Sequence, residues 1–308
     1  MKLEGIHHIT AITADAPRNV DFYTRVLGLR LVKKTVNQDD PTVYHLFYAD
    51  ELGSAGADLT FFEYPGAQRG RAGAGMVHRI VWRVGSEAAL SFWQERLVAE
   101  GVSVQPAPGS LRFPDPEGLA LELRAVSVPD AALVAEHPEI PAELALQGFD
   151  GVRAFSAVPE ASRAFLEEAL AFEPRGEGWE ARGGSRGSTY AYDPPPANSG
   201  FGGAGTVHHV AWASQQDEQA DWRRRVIEAG GRPTEIIDRY YFHSVYFREP
   251  SGVLFEVATL GPGFAVDEPL EHLGESLALP PRFEHLRDRL EAVLTPLPDP
   301  RPATASST

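Results

Sequence analysis

Cysteine is absent from the 308-residue chain. Disulfides, thiolate metal centres and cysteine nucleophiles are excluded, so any metal must be held by nitrogen and oxygen ligands. Long apolar runs are missing too, since no stretch approaches the roughly 18 uninterrupted apolar residues that cross a bilayer. Positive charge is scarce: 28 Lys and Arg stand against 43 Asp and Glu, a formal net charge of −15. That balance disfavours a nucleic-acid partner, because phosphate binding needs a cationic face. The basic run Arg223-Arg224-Arg225 falls in a helical pattern and reads as a solvated face. The opening residues MKLEGIHHIT contain no secretory apolar region, which predicts a cytoplasmic protein with no membrane partner. What remains is an ordinary globular composition, with 43% apolar and 23% charged residues. It suits one large or two ordinary domains and a small, uncharged or weakly anionic substrate.

Internal repetition organises the chain. Four strand-like runs recur, around Gly5–Ile12, Met76–Val84, Phe149–Phe155 and Thr206–Ala213. Aligned, they place His8, Arg79, Gly151 and His209 in equivalent positions. Each run precedes a helical pattern, near 15–27, 86–99, 159–170 and 215–229, with apolar residues three and four apart. Asp15, Ser86 and Asp217 suit helix starts, and Gly28, Gly101 and Gly230 suit stops. Two or three strand-like runs follow each helix, so every unit reads βαβββ. One such unit leaves a sheet face bare, so units should pair. The glycine-rich segments 66–75 and 198–205 lack the Lys-Ser/Thr of a phosphate loop and read as linkers. The polar stretch 127–147 divides the halves. A helix over about 282–294 and a disordered Pro/Ala/Ser/Thr tail end the chain.

His-His pairs open units one and four at the same repeat position, and Glu256 lies inside the apolar strand Val253-Leu254-Phe255-Glu256-Val257. A carboxylate in such a strand is costly unless paired or bound to a metal. Unit two repeats the pattern with Glu122, but its ligand position is Arg79, a partner for Glu122, and unit three offers Gly151. A single metal site built across the two ends of the chain follows. Strand alternation selects the second histidine of each pair. His8 shares a face with Thr10 and Ile12, and His209 with Ala211 and Ala213, leaving His7 and His208 as neighbours. Two imidazoles and one carboxylate form a facial triad with open positions, the arrangement of non-haem Fe(II) centres that use O2. Mn, Zn or Ni could occupy the same N/O ligands in purified protein.

With these features assembled, the chain resembles the glyoxalase/bleomycin-resistance/dioxygenase (vicinal oxygen chelate) superfamily, and within it the hydroquinone-type ring-cleaving dioxygenases. The similarity is carried by HHITAITADA, DFYTRVLGLRLVKKTVN, YHLFYADELGSAGADLTFF, TVHHVAWAS, DRYYFHSVYFREPSGVLFEVAT, LGPGF and LGESLALPP. It implies an α+β fold of four βαβββ modules pairing into two cup-shaped mixed-sheet pseudo-barrels. The expected divisions are 1–140 (modules one and two), 141–265 (modules three and four) and a C-terminal extension, 266–308. It also implies His8, His209 and Glu256 as ligands of iron. Thr10, His7 and His243 are then expected at the substrate, with His208, Arg239 and Tyr246 as catalytic groups.

The expected reaction is O2-dependent cleavage of a hydroquinone- or catechol-type ring. His208 is the acid/base candidate. Arg239 would stabilise the oxyanion and Tyr246 would donate to bound oxygen. Against those roles stand an ion pair of Arg239 with Glu235 or Asp238, and simple packing of Tyr246. A glyoxalase I-like isomerase is the alternative enzyme, with Glu63 as the candidate second carboxylate. A non-catalytic small-molecule binder is the third reading. Exposed strand edges also make a homo-oligomer compatible with the sequence.

Overall fold

The computed structural model describes residues 1–298. From residue 299 on, the tail read as disordered lies outside the described residues. The first module runs β1 (Ile6–Thr13), α1 (Ala16–Asp21), β2 (Arg30–Val36), β3 (Tyr44–Ala49) and β4 (Asp58–Glu63). The second runs β5 (Val77–Val84), α2 (Glu87–Ala99), β6 (Gln105–Ala107), β7 (Ser110–Pro114) and β8 (Ala120–Ala125). The third comprises β9 (Phe149–Phe155), two short helical turns, then β10 (Glu173–Arg175), β11 (Gly178–Arg182) and β12 (Gly187–Asp193). The fourth comprises β13 (Val207–Ser214), α3 (Gln219–Glu228), β14 (Ile237–Asp238), β15 (Phe242–Arg248) and β16 (Leu254–Pro262), and α4 (Arg287–Val293) follows.

Helix boundaries follow local chemistry. Asp15 and Ser86 accept hydrogen bonds from the backbone N–H groups of Arg18 and Ala89 at the starts of α1 and α2. The expected start at Asp217 is displaced: that residue lies in a single 3-10 turn, and α3 begins at Gln219 with no side-chain cap. The third helical pattern breaks into a 3-10 turn at Pro159–Ser162 and a wider turn at Phe165–Ala169.

The strands form two eight-stranded mixed sheets, the α+β pair of cups expected. One sheet has the order β14-β15-β16-β13-β1-β4-β3-β2 and the other β10-β11-β12-β9-β5-β8-β7-β6. Modules one and four therefore share one cup, and modules two and three share the other. A division at residue 140 falls between modules, but each half of the chain gives one module to each cup. The cause is strand pairing: β1 runs antiparallel to β13, and β5 to β9.

At each of those seams the register slips by one residue, leaving His7, His208, His78 and Asp150 as the extra residues of four β-bulges. A bulge re-aims the side chains beside it. The residues that follow the bulges are His8, His209, Arg79 and Gly151, so the repeat alignment holds in space.

The glycine-rich segments are linkers, and they pack against one another. Their backbones bridge at Arg69–Ala204 and Arg71–Phe201. A Cβ on Gly73 would lie 2.3 Å from the backbone nitrogen of Gly200, so glycine alone permits this approach. The C-terminal extension is strapped along β2. Fully buried Lys33 pairs with Asp267 at 2.7 Å and with Glu268, and Lys34 bridges to Leu277. No helix among the described residues is long and apolar enough to cross a membrane.

Candidate metal centre

The site forms where β1, β13 and β16 run side by side. Thr10 lies opposite His209, and His8 and Glu256 both lie opposite Ala211. One cup face therefore receives His8, Thr10, His209 and Glu256. His8 Nε2 and His209 Nε2 are 3.2 Å apart, and Glu256 Oε2 lies 3.2 Å from the first and 3.0 Å from the second. All three residues are buried, and Glu256 is completely so.

Hydrogen bonding around this cluster fixes which nitrogen faces it. The carbonyl of Thr259 can only accept, so His7 Nε2 donates to it at 3.1 Å. Burial, then His8, pushes His7 down to about 3, so the ring is neutral and its Nδ1 carries a lone pair. That Nδ1 lies 3.0 Å from His8 Nδ1, so the Nε2 edge of His8 is the one aimed into the cluster. His208 repeats the arrangement, with its Nδ1 2.8 Å from His209 Nδ1. Burial lowers His209.

Neither Glu256 oxygen accepts a hydrogen bond, although both are buried. An ionised carboxylate left so would cost several kcal/mol. A cation held by Glu256, His8 and His209 would offset that cost, so the donor set fits a divalent metal. A second buried group, His7, His8 and Asp58, also brings potential ligand atoms together. Burial, reinforced by Asp50, pushes Asp58 well above its ordinary value, so it is held as a neutral acid and makes a poor ligand.

Above the cluster opens a small cavity of about 40 Å³. Its walls include His45, Phe62, Tyr241, Phe242 and Tyr246, with Gln38, Asp39 and Arg239 among its other lining residues. Thr10 Oγ1 lies 3.0 Å from His209 Nε2 and accepts from Thr60 Oγ1 at 2.8 Å. His45 Nε2 is 2.9 Å from Thr60, and burial keeps His45 neutral. Tyr246 stands edge-on to His209, and Arg239 lies over its ring. Burial, then Glu256, keeps the Tyr246 phenol protonated above its ordinary range.

The structure brings Thr10, Arg239 and Tyr246 to the centre. His7 is buried behind His8, whereas His208 is exposed and its ring lies 5.7 Å from that of Phe62 in the cavity wall. His243 is not among the residues lining the cavity; it sits at a register irregularity of β15, with Nε2 3.9 Å from Asp238 Oδ1. The expected surface partners of Arg239 give way to Asp39, which binds it through two contacts of 2.9 Å. Glu63 lies three residues beyond Thr60 and accepts from the Ala16 backbone N–H. Thr60 pairs with Thr10 as Glu256 pairs with Ala211, each partner being two residues past a ligand histidine. Thr60 therefore holds the place a second carboxylate would need.

Sequence reasoning missed His45, Asp39 and Thr60. A histidine inside the apolar strand Tyr44–Ala49 was the available signal for the first. The other two contact the site only through long-range pairing.

The sequence profile of the Glyoxalase/Bleomycin resistance protein/Dioxygenase superfamily matches residues 5–123 and 148–257. The chain belongs to this superfamily. Its two matched segments each contain two of the modules, so each spans both cups. Among relatives, the Bacillus subtilis protein named "Putative ring-cleaving dioxygenase MhqA" is 40% identical over 315 residues, covering 96% of this chain and all of that protein. The "Chlorohydroquinone/hydroquinone 1,2-dioxygenase" of Sphingobium indicum is 33% identical, covering 94% and 95%. A crystal structure titled as a "putative dioxygenase" from Bacillus subtilis superposes with a TM-score of 0.89 at 40% identity, covering 96% of this chain and 98% of that one.

Proposed function

We propose that this superfamily member is an Fe(II)-dependent ring-cleaving dioxygenase acting on hydroquinone- or catechol-type diols with O2. The observation that carries the reading is the buried Glu256 carboxylate, whose orphaned oxygens meet two inward-facing imidazole nitrogens. The names of the full-length relatives support the ring-cleaving chemistry. A cytoplasmic location belongs to the same proposal.

Iron held by His8, His209 and Glu256 would supply a Lewis acid for the diol and a site for O2. The protein's share is positioning and hydrogen bonding. Thr10, backed by Thr60 and His45, presents its hydroxyl where an anionic ring oxygen beside the ligands would sit. Arg239 offers a fixed cation at the cavity mouth, and Tyr246 a phenol that stays protonated. His7 and His208 hold the ligand tautomers, so His208 acts through His209. Phe62, Phe242 and Tyr241 line the walls and exclude water.

The isomerase reading needs a second carboxylate on the metal, and Thr60 occupies that position. The deciding experiment is anaerobic loading with Fe(II) followed by O2-uptake assays on a panel of hydroquinones and catechols. Ring-opened product with matching oxygen consumption is expected. No uptake with any diol, alongside turnover of a glutathione hemithioacetal, would overturn the reading.

A further inference from the structure

The mouth of the cavity carries two charged side chains, Asp39 and Arg239. Asp39 Oδ1 and Oδ2 each accept one guanidinium N–H of Arg239 at 2.9 Å, so the Nη1/Nη2 edge of Arg239 is taken by a bidentate pair. The loop that carries Asp39 holds Arg239 by its backbone as well, since Gln38 Nε2 donates to the Arg239 carbonyl at 2.6 Å. Arg282 of the C-terminal extension binds Gln38 Oε1 in turn, at 2.6 Å. The Asp39 backbone N–H donates to Asn37 Oδ1 at 3.0 Å, which fixes the loop from within.

The guanidinium is thus braced between the Tyr246 ring on one side and a carboxylate on the other. Arg239 is the one Arg or Lys among the residues lining the cavity, and the innermost charge is the Glu256 carboxylate. A ring that carries its own carboxylate would meet a cation already neutralised, with the Asp39 charge added at the mouth. A ring with uncharged substituents meets no such repulsion.

We propose that Asp39 is a specificity-determining residue, which occupies the Arg239 fork so that the cavity admits uncharged diol rings and turns away carboxylated ones. The inference rests on the ring-cleaving reading, and its test separates the two. Asp39→Asn removes the charge at a solvent-facing position and leaves the ligands untouched. The affinities of Fe(II)-loaded wild type and variant for hydroquinone and for 2,5-dihydroxybenzoate are measured calorimetrically without O2, then kcat and KM are measured with O2.

The expected result is a gain of about tenfold or more for 2,5-dihydroxybenzoate relative to hydroquinone. The gain should lie in Kd and KM for 2,5-dihydroxybenzoate. Asp39→Glu, which keeps the charge, should restore the wild-type preference, and Asp39→Ser should repeat the effect of Asn. An unchanged ratio in folded Asn and Ser variants overturns the proposal. If wild type binds both rings and consumes no O2, the catalytic reading fails, and the calorimetric ratio still judges Asp39. No binding of either ring to wild type overturns both.

Discussion

The two cups share a backbone plan and differ in what stands at the same positions. In the first, His8 Nε2, His209 Nε2 and a Glu256 oxygen without a hydrogen-bond partner converge within 3.2 Å of one another. In the second, Arg79 and Gly151 replace the histidines while Glu122 keeps the place of Glu256, pairing across from Val81, two residues past Arg79. Glu122 is buried, yet Arg79, Arg112 and Arg124 hold it at 3.2, 2.9 and 2.8 Å. Nearby, Arg153 and His78 both bind Asp193. The comparison shows that a buried carboxylate must be compensated, and that guanidinium groups satisfy this requirement in one cup. Their absence in the other leaves a place for a metal.

The largest effect should come from the first cup. His209→Ala is expected to lose bound metal and to lower kcat by about a thousandfold or more, while circular dichroism stays native. Stoichiometric metal retained by that variant would break the ligand assignment. The second cup should resist conversion by backbone crowding. A Cβ on Gly151 would fall 2.1 Å from Thr189 Oγ1 and 2.2 Å from its carbonyl oxygen. Gly151→Ala should therefore cost about 3 kcal/mol in urea unfolding, and a histidine there should not be tolerated.

A smaller loss, about 2 kcal/mol, is expected for Glu122→Gln, because its arginines keep partial access to water. Metal stoichiometry should not change in that variant. A fall in bound metal would show that the cups are not independent.

The smallest effect concerns acid. Arg153 is the main cause that holds Asp193 down to about 2, and His78 adds to it. A depressed carboxyl contributes stability above its unfolded value, near 4, that is lost as pH falls through 2. Because Asp193 is partly solvated, this amounts to no more than about 1 kcal/mol. Asp193→Asn should flatten the dependence of unfolding free energy on pH between about 4 and 2. An unchanged slope would place the acid sensitivity elsewhere.

Sequence periodicity and repetition determined much of this molecule. Four βαβββ modules, the equivalence of His8, Arg79, Gly151 and His209, and the Arg79–Glu122 pair were all legible. Each is written in local spacing or in direct comparison of repeats. Alternation ranked His8 and His209 above their neighbours, and both point into the cluster with Glu256, but alternation is blind to bulges. It could not show that His7 and His208 lie beside the ligands, each with a ring nitrogen within 3.0 Å of its neighbour's.

Tertiary structure alone decided which modules share a cup, because β1 could pair with several strands of like pattern. It also decided that Thr60 takes the position considered for Glu63, and that Asp39 closes on Arg239 from 200 residues away. Contacts of that range leave no period in a sequence. The metal triad itself stands between the two: its residues were legible as repeats, and its convergence required the β1–β13 seam.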